Sequence, residues 1–235
     1  MIIEKIFGKY LFSIFFSFAP PLFILLLIFN NIQHEQNNTN SLSDIQGNVY
    51  KTIKIGNQVW MAENLKVTCY KNGDQIPRVQ SEEPWSELTT GAYCLNEETD
   101  NYWSTYGVLY NYFVINDMRG VAPEGWHIPT RDEWLELENY LGGQAVAGGV
   151  MKDVQSGLWA KANDASNTSG FSALPAGGRG RKGYPDDVGY YATWWTSTSH
   201  DSLYAWHWGV HPDKNNTRRN PGHKASGFSV RCIKD

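Results

Sequence analysis

The sequence predicts an α+β domain with an antiparallel sheet, and three observations carry that prediction. A capping-box signature, Thr130-Arg131-Asp132-Glu133, opens an amphipathic helix. Two short β-type runs flank a Gly56-Asn57 turn. From Gly170 onward, short β-type runs alternate with loops rich in Gly, Asn and Pro. Helical signals early and strands late fit separated α and β regions better than alternating βαβ units.

The first hairpin is Val49 to Ile55 followed by Gln58 to Met61, in a register that sets Ile53 opposite Trp60. Gly107 to Met118 places Leu109, Tyr110, Phe113 and Val114 at helical spacing and predicts a helix. The second helix runs from Arg131 to Leu141. Pro129 enforces an extended entry, Trp134, Leu137 and Leu141 repeat on one face, and Gly142-Gly143 ends it. Late strands are expected at Phe171 to Leu174, Tyr191 to Ser197, Tyr204 to Val210 and Gly227 to Ile233. No fixed-period repeat is present.

Tyr10 to Phe29 contains no charged residue and at helical rise spans roughly 30 Å, a bilayer core. Lys5 and Lys9 precede it and no Lys or Arg follows until Lys51. That asymmetry puts the N-terminus in the cytoplasm and the domain outside. An uncleaved anchor is favoured over a cleaved signal. Ser17-Phe18-Ala19 offers small residues for cleavage, but Pro20-Pro21 follows at once. The chain then divides into a hydrophobic anchor or signal over 1–30, a polar spacer over 31–46 and a domain over 47–235.

Of 235 residues, 41% are hydrophobic and 14% aromatic, with 10 Trp and 13 Tyr, so the chain has the material for a real core. The charged fraction of 19% lies below the usual quarter and suits an extracellular surface. A net charge of -4 without a concentrated basic face argues against a nucleic-acid partner. The three cysteines, Cys69, Cys94 and Cys232, form no C-x-x-C pair, which removes zinc-ribbon and thioredoxin readings.

The runs VYKTIKIGNQVWMAENL, YGVLYNYF, PEGWHIPTRDEWLEL, GFSALPAGGR, GYYATWWTSTSHDSLYAW and the ending GFSVRCIKD resemble the Fibrobacter succinogenes major paralogous domain. The resemblance spans about Asp44 to Asp235 and implies a secreted or surface protein of unassigned biochemical role. GWHIPTRDEW also looks like the GWRLPTEAEWE-type helix start of formylglycine-generating enzymes, a local likeness that implies a C-type-lectin-like fold. Two departures stand out. Ala122 occupies the position of a family cysteine before the central helix; if that cysteine pairs with the one matching Cys232, the bridge is lost here. A second family pattern has two cysteines flanking a short acidic loop; Cys94 remains, but Tyr102 and Trp103 occupy the far side. The copper-binding cysteine pair of the oxidases is reduced to Cys232, which reads as a core thiol beside Phe228 and Val230, so no catalysis is expected.

His200, His207, His211 and His223 crowd the C-terminal third. On a strand, His207 and His211 are roughly 13 Å apart, too far for one metal, and calcium-lectin motifs are absent, so no metal or cofactor is expected. Gly177 to Gly183 reads as a mobile surface turn. The candidate ligand surface is aromatic. Tyr204, Trp206 and Trp208 share one face of a strand about 6.6 Å apart, suited to stacking on sugar rings. His211, Asn215, Arg218 and Arg219 follow as partners for hydroxyl groups. The competing assignment is that this face is core. The expected function is extracellular binding or adhesion, to polysaccharide or a surface protein, with the N-terminal segment as the membrane contact. The alternatives are a display module without a small ligand and, third, an enzyme.

Overall fold

β1 (Ser41–Ser43) pairs antiparallel with β2 (Val49–Ile55), which turns into β3 (Gln58–Met61). The computed structural model describes residues 41–96, 100–160, 165–186 and 188–235. Order therefore begins before Gly47, inside the stretch whose composition reads as spacer. Asp44 is the reason: its carboxylate accepts from the amides of Gln46 and Asn48 at 2.9 and 3.0 Å and from the Tyr50 hydroxyl at 2.5 Å. Ile53 faces Trp60 as the hairpin register requires. Gly56 holds φ +61, and a Cβ there would come within 2.8 Å of the Tyr140 ring, so the turn needs glycine on both counts. Among the described residues no helix is long and apolar enough to cross a membrane; the stretch 10–29 lies outside them.

Next come α1 (Glu82–Ser86), β4 (Tyr93–Cys94), α2 (Asp100–Tyr106), β5 (Leu109–Asn111) and α3 (Tyr112–Ile115). The helix expected over 107–118 is corrected here. Leu109 and Tyr110 lie in a strand, and only Tyr112–Ile115 is helical. Val108, Leu109 and Tyr110 are all fully buried, so the strand is covered on both faces and its apolar run mimics a helical face. Asn111 makes the switch: its side chain accepts from Val114 N at 3.3 Å as the helix cap and from Ala92 N at 3.1 Å.

The chain continues through β6 (Trp126–His127), α4 (Arg131–Tyr140) and α5 (Gln144–Met151). α4 begins with the full capping box, Thr130 Oγ1 accepting from Glu133 N and Glu133 from Thr130 N. After it come β7 (Gly178–Arg179), β8 (Pro185–Asp186), β9 (Ala192–Ser199), β10 (Tyr204–Val210), β11 (Thr217–His223), β12 (Gly227–Phe228) and β13 (Ile233–Lys234). The described residues thus hold five helices, not two. Phe171 to Leu174 is no strand: it carries one bridge, Lys152 to Ala173, and Phe171 fills the core instead.

The strands form three antiparallel sheets, ordered β1-β2-β3-β13-β6, β4-β5-β12-β7-β8 and β11-β10-β9, in an α+β arrangement. The expected strand over 227–233 is divided between two of them. β12 pairs with β5 and β7, Ser229 bridges to Trp194 of β9, and β13 joins β3 and β6. One nine-residue ending therefore ties the sheets together.

Between β3, α4 and β9–β10 lies an aromatic core. Trp134 packs against Trp60 at 4.9 Å and lies nearly parallel to Trp208 at 6.0 Å; Phe171 meets Trp194 edge-on at 5.5 Å. Arg231 is fully buried beneath it. Its Nε donates to Asn64 Oδ1 at 2.9 Å, one Nη to Ser172 O at 2.9 Å and the other to Phe171 O, while the guanidinium lies 4.2 Å from the Phe171 ring centre. Burial pulls its pKa down to about 9, so it remains a cation at neutral pH. Cys69, Cys94 and Cys232 are buried free thiols, and burial pushes Cys94 up to about 12.

Candidate functional site

Residues paired directly across an antiparallel ladder project to the same face of the sheet. In β9–β10–β11, His207 pairs with Trp195 and Asn220, and Gly209 with Thr193 and Arg218. These six residues share the face turned away from α4. Trp195, Ala205 and Tyr112, with Phe228 against them, cover half of that face. The other half is the floor of a cleft of about 340 Å³. Asp186 of β8 lines it too, as do Tyr191 and His211, which touch each other.

Local chemistry fixes each of these side chains. The His207 ring lies 4.9 Å from Phe228 and edge-on to Trp195 at 6.3 Å. Gly222 makes room for it, since a Cβ there would stand 2.8 Å from His207 Nδ1. Burial pushes the His207 pKa down to about 4, so the ring is neutral at pH 7. Its Nδ1 is buried without a hydrogen-bond partner among the described residues. His211 sits on a loop held from below: Lys152 Nζ donates to the carbonyls of His211, Pro212 and Lys214 at 3.0, 3.1 and 2.8 Å. Tyr191 meets the His211 ring edge-on at 4.6 Å. Burial, then the Arg218 charge, lowers the His211 pKa.

The side chains of Tyr191, Thr193, His207, His211, Arg218 and Asn220 make no hydrogen bond or ion pair to any described residue. Two other arginines are engaged. Arg219, next to Arg218 but on the helix side, meets Glu138 and Gln144 at 3.3 Å each. Arg179 is buried over Trp85 at 5.1 Å and donates to Gln80 O at 2.6 Å. The stretch 177–183 is accordingly not a mobile surface turn; strand β7 anchors it, and only its tip from Gly180 to Gly183 turns.

The aromatic row is corrected by the same geometry. Trp208 is 1% exposed, stacked on Trp134, and its Nε1 donates to Glu138 Oε2 at 3.0 Å. It is a core residue and presents no face to a ligand. Trp206 is half-buried beneath the Arg131 guanidinium, 4.9 Å from its ring centre, with His200 edge-on at 5.2 Å. Tyr204 is 37% exposed and leans on His223 at 5.5 Å. Between the pairs Ala205–Ser199 and His207–Trp195, β9 passes three residues against one on β10, a bulge that interrupts any flat platform at Trp206. Asn215 docks the loop on α5: its carbonyl accepts from Gly149 N at 3.1 Å, and a Cβ at Gly149 would stand 2.8 Å from its side-chain oxygen. Of the predicted site residues, only His211 and Arg218 line the cleft. Tyr191, Thr193, Asp186 and Asn220 line it without any sequence signal of their own, and His207 stands out in the sequence only as one of four clustered histidines. Among the described residues no group of three His, Cys, Asp or Glu side chains could hold a metal ion.

A second titratable cluster lies at the start of α4. His127 Nδ1 is 2.7 Å from Asp235 Oδ1, and its Nε2 is 2.8 Å from Glu133 Oε1. It pins β6 and the chain end to the helix cap.

No curated protein sequence matches this chain. The model of the Fibrobacter succinogenes major domain matches residues 53–234, from within β2 through β13 and including every residue that lines the cleft. The chain therefore belongs to the Fibrobacter succinogenes major domain family.

Proposed function

We propose that this protein is an extracellular carbohydrate-binding module with a C-type-lectin-like fold, held outside the cytoplasm by its N-terminal hydrophobic segment. The observation that carries the proposal is the convergence of six uncommitted polar side chains on one cleft. Convergent polar side chains without protein partners, gathered around a concavity, are what a small-ligand site presents. Sugars require that combination. Their hydroxyls pair with amide, imidazole, hydroxyl and guanidinium groups, here Asn220, His207, His211, Thr193 and Arg218. Their C–H faces stack on aromatic rings, and Tyr191 offers one at the rim, 38% exposed. The volume of about 340 Å³ lies at the low end of the range of about 300–1,000 Å³ for small-molecule sites. It suits a short segment of a polysaccharide.

Retention of the full chain on a polysaccharide array tests this. Tyr191→Ala and Asn220→Ala should each weaken retention at least tenfold with the melting temperature unchanged, while Trp206→Ala should leave retention intact. Retention that depends on Trp206 and ignores Tyr191 and Asn220 would refute the cleft as the site. A failure to retain any glycan would favour a display module without a small ligand.

A further inference from the structure

We propose that the sugar taken by this cleft is anionic, a uronate or a sulfated residue whose charged group pairs with Arg218. The inference rests on the carbohydrate-binding proposal and adds the charge of the ligand to it. Arg218 is an exposed guanidinium on the cleft floor with no carboxylate and no hydrogen-bond acceptor among the described residues. Two other arginines of the chain show the contrast. Arg219 is neutralised by Glu138, and Arg119 by Asp117 and Asp74. A planar guanidinium presents paired donors that match two oxygens of a carboxylate or sulfate, a match that neutral hydroxyls do not offer.

The surroundings point the same way. The chain as a whole carries a net charge of -4, yet His211 feels more cations than anions. Arg218, Lys214 and Lys152 all push His211 toward its neutral form, against Asp213 alone. Lys152 contributes from within the fold, its ammonium fixed under the 211–214 loop. The cations that act on His211 therefore favour an anion docked at Arg218. Asp186 of β8 also lines the cleft. The neutral His207 and Asn220, paired across β10 and β11, supply uncharged hydrogen bonds.

Binding of the full chain to paired polymers that differ only in charge tests the assignment. The pairs are polygalacturonate against its fully methyl-esterified form, and dextran sulfate against dextran. Affinity for at least one charged polymer should exceed that for its neutral partner by tenfold or more and fall as salt is raised. The member of the pair that is preferred separates carboxylate from sulfate. Arg218→Gln should abolish the preference without moving the melting temperature, and Arg218→Lys should keep part of it. Equal affinity for charged and neutral polymers, or a preference that survives Arg218→Gln, overturns the anionic assignment. If Tyr191→Ala still abolishes binding in that case, the carbohydrate cleft stands and only its charge preference falls. If neither variant changes binding, both fall.

Discussion

Trp206 and Trp208 stand two residues apart on one strand and meet opposite fates. Trp208 is stacked on Trp134 and hydrogen-bonded to buried Glu138, so its removal opens a cavity and takes one donor from a carboxylate that keeps Thr217 and Arg219. Trp208→Ala should cost about 3–5 kcal/mol. Trp206→Ala, which loses a half-exposed ring and one guanidinium contact, should cost about 1 kcal/mol. Urea denaturation of both variants checks this, and equal losses would mean that the strand faces are misassigned. The period of two in the sequence correctly joined these rings to one face. It did not say that α4 would cover that face, because the covering residues lie about 70 positions away. His207, one residue between them, has its own signature. Its pKa is lowered from 6.5 to about 4, so the unfolded chain binds a proton that the folded chain refuses. The associated stability is present above pH 6.5 and is lost as pH falls from 6.5 toward 4. At about 1.4 kcal/mol per pKa unit the loss is on the order of 3 kcal/mol. His207→Gln should flatten the acid limb of the stability curve relative to wild type. Parallel curves for the two proteins would show that His207 protonates freely in the fold.

At the scale of the element, the start of α4 shows which structure the sequence displays openly. Thr130, Glu133 and the apolar spacing behind them are local, and so is the Gly56 hairpin; both were legible without any tertiary information. The stretch 107–118 was not, because burial of a strand on both faces erases the period that distinguishes it from a helix. Thr130→Ala should lower stability by about 1 kcal/mol, and an unchanged denaturation midpoint would show that Thr130 does not cap the helix. Glu133 has a second task that the capping signature hides. While Oε2 accepts from Thr130 N, Oε1 faces His127 Nε2, and Asp235 takes the other ring nitrogen. Burial of the ring opposes its charge, but the two carboxylates outweigh it, and the His127 pKa is raised above 6.5. The folded state therefore holds its proton longer than the unfolded state. The clasp contributes fully below pH 6.5 and weakens as pH rises through the raised pKa, opposite in sign to His207. An NMR titration of the His127 ring should give a midpoint above 6.5 that drops in Asp235→Asn. A midpoint that ignores that substitution would show that the chain end does not bear on the helix cap.

For the whole molecule, the ending from Gly227 to Asp235 decides how three sheets become one domain. It pairs with β5 and β7, bridges to β9 and closes between β3 and β6. The cleft depends on that closure, since Phe228 of β12 lines it together with residues of β8, β9, β10 and β11. Five consecutive strands compose it, but they belong to two different sheets, which is why the candidate site was only partly legible. His211 and Arg218 were visible as polar residues beside a strand, whereas Asp186 and Tyr191 reach the cleft only through tertiary folding. Arg231 is the joint within the ending. Its fork takes Asn64 Oδ1 from the segment after β3 and the carbonyls of Phe171 and Ser172 from the loop before β7, while its plane lies over Phe171 and near Trp194 of β9. Arg231→Met keeps the apolar stem and removes the fork. Asn64 Oδ1 retains the Trp194 Nε1 donor at 2.9 Å, but the two carbonyls lose their guanidinium donor in the interior. At about 1–3 kcal/mol for each unsatisfied group, the loss should reach about 3–5 kcal/mol. Arg231→Lys should recover little of it, because an ammonium on a single stem cannot reproduce the planar fork toward three acceptors. Because the same residue touches elements of separate sheets, the loss should appear as one shifted transition, with tryptophan fluorescence and far-ultraviolet circular dichroism coincident. Two separated transitions in the Met variant, or a loss below about 1 kcal/mol, would mean that the sheets are held together without the Arg231 fork.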